Sequence, residues 1–127
     1  MPSPEDLRIQ FLMAKKHLKT NGSLSIKIIS GSMEPVIKVN DQVTVNSISE
    51  PLKPFDIIVY KNDRELICHY VKHINRHVTQ GDNNLVQTRG LNAKTDDTPV
   101  HFDDILGVVV SHKISAWRKL LLIWAIR

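Results

Sequence analysis

Ser32 stands in Ser30-Gly31-Ser32-Met33-Glu34-Pro35, directly after the apolar run Leu24–Ile29. A serine hydroxyl attacks a carbonyl only when a base takes its proton and donors await the oxyanion. Gly31 gives room for a substrate and lets backbone N–H groups converge, and Ser30 offers a second hydroxyl to line an oxyanion hole with Ser32. His69, in Cys68-His69-Tyr70-Val71, is the natural general base, with His73 and His77 as alternatives. A carboxylate behind the imidazole would fix its tautomer. Asp82, in Gly81-Asp82-Asn83-Asn84, is the leading choice, and Asp96, Asp97, Asp103 and Asp104 are further acids. Each group has an ordinary reading beside the chemical one: a Ser/Gly turn, a histidine satisfied within a strand, an Asx turn. Histidines at 69, 73 and 77 would form a metal stripe only on a helix. Their β-branched neighbours argue against one, and no Cys or carboxylate pattern supports zinc, so no metal and no cofactor is expected.

These residues need a scaffold, and the patterning predicts a mostly β one. Pro4–Lys19 reads as a helix, capped by Ser3, with Glu5 and Asp6 in its first turn and Asn21-Gly22 to end it. Strands are predicted over Leu24–Ile29, Gln42–Ile48, Asp56–Lys61, Glu65–Ile74, His77–Gln80, Leu85–Thr88 and Ile105–Ile114, with Arg89–Pro99 as an exposed loop. Ser115–Arg127 reads as an apolar helix carrying Trp117 and Trp124 with Arg118, Lys119 and Arg127. Tryptophan and basic residues on a short apolar helix suit a membrane interface. Packing on the β domain or on a second subunit would serve equally. The expected organisation is one domain over 1–127: a helix within 1–22, a β core over 23–114 and a helix over 115–127.

Composition narrows the classes. A chain of 127 residues can bury about two-thirds of its unfolded surface. Cys68 is the single cysteine, so an internal disulfide is excluded and nothing points to an oxidising compartment. The net charge of +4 is scattered and lacks the aromatic and basic interleaving of a nucleic-acid platform. No stretch reaches the about 18–20 apolar residues of a membrane span, and the acidic, proline-bearing start is no signal peptide. A cytoplasmic protein, or one held peripherally at a membrane, is the expectation.

Five segments in order then carry a family resemblance. Ser30–Pro35 resembles the nucleophile box of type I signal peptidases and of the related LexA-like self-cleaving repressors. Val39-Asn40-Asp41-Gln42-Val43 resembles their Gly-Asp-x-Val strand entry, with Asn40 where glycine is usual. Lys53–Tyr60 resembles Pro-Gly-Asp-Ile-Val, with Phe55 where glycine is usual. Thr79–Asn84 resembles Thr-Lys-Gly-Asp-Asn-Asn, and Ile105–Val109 resembles Ile-Leu-Gly-x-Val. The match covers about 24–112. It implies a small, coiled, antiparallel β domain of the signal peptidase/LexA type, flanked here by the two helices.

Position 69 sets the subtype. Bacterial-type signal peptidases and LexA-like proteins carry a lysine base there. His69 is similar to the endoplasmic-reticulum and archaeal signal peptidases, although their His-Arg is His69-Tyr70 here. The resemblance implies Ser32 as nucleophile, His69 as base and Asp82 as acid, with Ser32 N–H and the Ser30 hydroxyl holding the oxyanion. The subtype often has a second aspartate where this chain has Gln87 and Thr88. A longer loop delivering Asp97 to the same place, or Asp82 acting alone, are both open. The implied activity is a serine endopeptidase that trims a leader, signal or propeptide from a protein or peptide precursor, with Met33, Pro35, Ile58 and Tyr60 contacting the substrate. Two rivals stand beside it: a catalytically inactive peptide-binding module, and a dimerisation unit akin to the repressors. Neither the Ala-Gly nor the Cys-Gly bond that those repressors cut occurs here.

Overall fold

In the computed structural model, residues 3–75 and 85–125 are described. Helix α1 spans Pro4–Asn21. Its start and stop are local chemistry. Ser3 and Asp6 form a reciprocal capping box, and Gly22, at φ +83°, turns the chain out of the helix while its N–H donates to the Leu18 carbonyl. Leu7, Phe11 and Leu18 form the buried face, and the helix packs on the sheet below it.

That sheet has seven strands among the described residues: β1 (Ser23–Lys27), β2 (Gln42–Asn46), β3 (Ile57–Lys61), β4 (Leu66–Asn75), β5 (Leu85–Arg89), β6 (Val100–His101) and β7 (Ile105–Val109). Their order is β1-β2-β7-β3-β4-β5-β6 and every pairing is antiparallel. A mostly β architecture with two helices is therefore observed. The differences are at strand ends. The first strand stops at Lys27 because the Ile28 N–H and carbonyl are taken by Asp41 and Asn40. The last stops at Val109. The two-residue β6 was not predicted, and the strand predicted over His77–Gln80 lies outside the described residues.

Two turns of one design feed β2 and β3. In Lys38-Val39-Asn40-Asp41, the aspartate N–H donates to the Lys38 carbonyl at 2.9 Å and its carboxylate accepts from the Lys38 N–H at 2.9 Å. Lys53-Pro54-Phe55-Asp56 repeats both bonds at 3.1 and 3.0 Å. The third residue of each is left-handed, Asn40 at φ +74° and Phe55 at φ +75°. These are the two positions where the signal peptidase-like pattern has glycine, and the backbone there has the geometry that favours it. Asn adopts it readily. Phe55 is held by stacking on Tyr70, 6.0 Å between ring centroids, and by its N–H bond to the Val71 carbonyl.

The sheet is covered on both faces at its centre, so β3 reads as a continuous apolar run. Ile57 and Val59 join Phe11, Leu18, Met33, Ile37, Val43 and Tyr70 in one core. Ile58 and Tyr60 join Leu52, Val71, Val86, Val100 and Ile105 in the other. Gly107 lets β7 approach β2 closely; a Cβ there would meet the Asn46 carbonyl.

Helix α2 spans Ala116–Ala125, with Ser115 accepting the Arg118 N–H at its start. No helix among the described residues is long and apolar enough to cross a membrane.

Candidate active site

Three neighbouring strands present one residue each on the same face of the sheet. The register sets Ile58 opposite His69, Tyr60 opposite Ile67 and Val71 opposite Thr88. Tyr60, His69 and Thr88 therefore cluster, with the Tyr60 and His69 rings edge-to-face at 6.2 Å. Two loops close over them. One carries Ser32, the other Asp97.

Ser32 is pinned by the turn that it enters. The Met33 carbonyl accepts from Ile37 N–H, and the Gly31 carbonyl from Glu34 N–H. Met33 and Ile37, 1% and 0% exposed, plug this turn into the core. A third residue clamps it from the second loop: Asn92 donates its backbone N–H to the Ser32 carbonyl at 3.1 Å and its side-chain amide to the Gly31 carbonyl at 2.8 Å.

Asp97 is delivered by the loop 90–99 and held by β5. Its N–H donates to the Thr88 carbonyl at 3.0 Å, and its carbonyl accepts from the Gln87 side chain. Gln87 and Thr88 stand where the subtype's second acid was expected. They do not supply a carboxylate; they seat one. Asp96 beside it pairs with Lys72 at 2.9 Å and lies 3.6 Å from Arg89. Arg89 in turn donates to the Ala93 carbonyl, tying the loop to the strand it leaves.

The result is a continuous chain of hydrogen bonds. His69 Nε2 lies 3.1 Å from Ser32 Oγ, and His69 Nδ1 lies 2.5 Å from Asp97 Oδ2. The same carboxylate oxygen accepts from Thr88 Oγ1 at 2.7 Å and from the Tyr60 hydroxyl at 3.1 Å. Burial works against the Asp97 carboxylate, but the bonds from His69 and Thr88, with Tyr60, outweigh it and hold this carboxyl below its ordinary range. An ionised Asp97 only accepts, so Nδ1 carries the proton, and in neutral imidazole Nε2 is left to accept from Ser32. Burial, then the neighbouring Asp97 charge, raises the Tyr60 phenol and keeps it a donor. Burial also pushes the Cys68 thiol up to about 12, so the lone cysteine is no rival nucleophile.

The two oxyanion candidates touch each other. Ser32 N–H donates to Ser30 Oγ at 3.2 Å, and Ser30 Oγ donates to Ser32 Oγ at 3.2 Å. Both contacts are long, and an incoming oxygen would compete for both donors.

Other expected residues fall elsewhere. Asp82 and His77 lie outside the described residues. His73 is exposed further along β4, opposite Gln87. Asp103 and Asp104 sit in the short turn before β7, where Asp104 pairs with Lys61 at 3.3 Å. The expectation that Met33, Ile58 and Tyr60 form substrate walls is corrected. They are 1%, 0% and 2% exposed, and their side chains fill the two cores. Tyr60 instead braces Asp97. Pro35 is exposed on the turn after Ser32, and Ile29, 81% exposed, stands next to Ser30.

Sequence reasoning missed Gly90 and Asn92. A Cβ at Gly90 would lie 3.1 Å from His69 Nε2 and 3.2 Å from the Ser32 carbonyl. Its place directly after a strand, in Arg89-Gly90-Leu91, was the available signal. Asn92 had none.

No protein-family model matches this chain, and no curated protein matches it.

Proposed function

We propose that this protein is a serine endopeptidase that removes a leader, signal or propeptide segment from a protein or peptide precursor. The observation that carries the reading is the unbroken line Ser32 Oγ, His69 Nε2, His69 Nδ1, Asp97 Oδ2, at 3.1 and 2.5 Å. The left-handed Asn40 and Phe55, at the positions where the signal peptidase-like pattern has glycine, support the likeness of fold. The precursor as substrate rests on that likeness.

In this mechanism Ser32 Oγ attacks the scissile carbonyl as its proton passes to His69 Nε2. Asp97, already ionised, balances the imidazolium. The oxyanion takes the Ser32 N–H and the Ser30 hydroxyl in place of their contact with each other. As the tetrahedral species collapses, the C–N bond breaks and His69 returns its proton to the leaving amine. A water then gives its proton to His69 and attacks the acyl-serine; the ester bond to Ser32 Oγ breaks, His69 returns the proton to Ser32, and the acid is freed.

The test is labelling with a fluorophosphonate, read by mass, alongside cleavage of candidate precursors. Ser32 in the wild type should take one adduct, and Ser32→Ala should take none while keeping its melting temperature. A wild-type chain that stays unlabelled and cuts no precursor would return the inactive binding module. Cleavage that persists in Ser32→Ala would remove Ser32 from the chemistry.

A further inference from the structure

Helix α2 is turned the wrong way round for a helix that only packs on its own domain. Trp117, Leu120, Leu121 and Trp124 recur at the spacing of one helical face. They are 70%, 47%, 47% and 68% exposed. The inward side holds Leu122, packed on the core that includes Ile114, and Lys119, whose Nζ lies 5.8 Å from the Phe55 ring centroid. A surface helix ordinarily buries its apolar stripe; here the stripe points outward.

Charge indicates what could cover it. Basic residues are scattered along the chain, but through residue 104 acids balance them; from Ile105 to Arg127 there is no Asp or Glu against Lys113, Arg118, Lys119 and Arg127, so the net +4 falls in this segment. Ten residues of helix extend about 15 Å, half of the about 30 Å hydrocarbon thickness. That length suits a helix lying in a bilayer surface. An outward face of tryptophan and leucine, flanked by basic groups alone, matches the boundary between acyl chains and acidic headgroups.

We propose that α2 docks this protein on an anionic lipid bilayer, with Trp117, Leu120, Leu121 and Trp124 inserted and the net positive charge of the 105–127 segment drawing the helix to the acidic headgroups. The inference is independent of the peptidase reading and does not need Ser32 to be active.

The chain has two tryptophans, both on this helix, so intrinsic fluorescence reports the docking directly. The full chain would be titrated with phosphatidylcholine vesicles with and without phosphatidylglycerol, following emission and co-sedimentation. The expected result is a blue shift and pelleting with the anionic vesicles, weakened by salt. Each Lys or Arg at an anionic surface is worth about fivefold in binding, so the preference over neutral vesicles should be at least tenfold. The double variant Leu120→Gln, Leu121→Gln changes two half-exposed side chains; it should lose pelleting and keep its melting temperature. Failure to bind either vesicle, binding indifferent to lipid charge, or pelleting undiminished in the variant would each overturn the proposal. So would a lipid-free dimer, seen by sizing, that the same variant splits, because a second copy would then be what covers the stripe.

Discussion

His69 Nδ1 meets Asp97 Oδ2 at 2.5 Å although 28 residues separate them in the chain. The contact is made by a loop whose own anchors are Gln87, Thr88 and Arg89, so β5 positions the acid that β4's histidine uses.

The first consequence concerns that acid. Asp97→Asn leaves an amide that can donate to Nδ1 and so favours the wrong imidazole tautomer, an effect worth about 10⁴ in turnover in a Ser-His-Asp site. The rate of Ser32 labelling by a fluorophosphonate should fall by a comparable factor, with the fold retained. Asp82→Asn, made in parallel, is expected to keep most of the wild-type rate, because Nδ1 already has its carboxylate. The reverse ranking would restore Asp82 as the acid.

Gly90→Ala should uncouple activity from stability. The added methyl would press on His69 Nε2 and on the Ser32 carbonyl, and a displacement of a few tenths of an ångström opens the 3.1 Å contact between base and nucleophile. A 1 Å misplacement can cost about a hundredfold in rate, so this smaller one is expected to cost up to about tenfold. Labelling kinetics beside a thermal melt check it: a slow variant with a near-normal melt is expected.

Asp97 also ties stability to pH. Its folded pKa is depressed, so its contribution is fully present above the unfolded carboxyl value of about 3.9. It is lost as pH falls through the lower folded value. Urea midpoints of wild type and Asp97→Asn, measured from neutral pH downward, should differ most at neutral pH and converge in acid below that value. A gap that widens in acid would contradict the depressed carboxyl.

Tyr70 offers a stabilising change. Its ring is fully buried and its hydroxyl has no hydrogen-bond partner among the described residues. A buried unsatisfied hydroxyl costs about 1–3 kcal/mol, so Tyr70→Phe should raise stability by about 1 kcal/mol, read as a shift in urea midpoint. The stacking on Phe55 survives the substitution.

The sequence made the elements legible where local rules govern them. Ser3, Asp6 and Gly22 mark both ends of α1, and the run Ile57–Tyr60 marks a strand covered on both faces. Ser32 and His69 were legible from residue type and order, and Asp97 stood among the acids considered. What fixed Asp97 was not legible, because Thr88, Tyr60 and Gln87 act across strands and their hydroxyl and amide groups have many ordinary uses. The substrate walls failed for a related reason. An apolar residue beside a nucleophile can face a groove or the core, and Met33 faces the core because its turn needs an anchor. Asn92, remote in sequence and common in loops, gave no sign of its hold on the Ser32 turn.

The paired turns ahead of β2 and β3 carry a last consequence. In each, the aspartate grips the residue three places back by two hydrogen bonds, while the residue between them tolerates as large a side chain as Phe55. The corner is therefore encoded by a carboxylate and a dihedral angle rather than by a glycine. Either left-handed residue could change and the chain still bend at the same place, provided Asp41 and Asp56 kept their hold. Those two carboxylates, more than the residues just before them, hold the corners that set β2 and β3 in place.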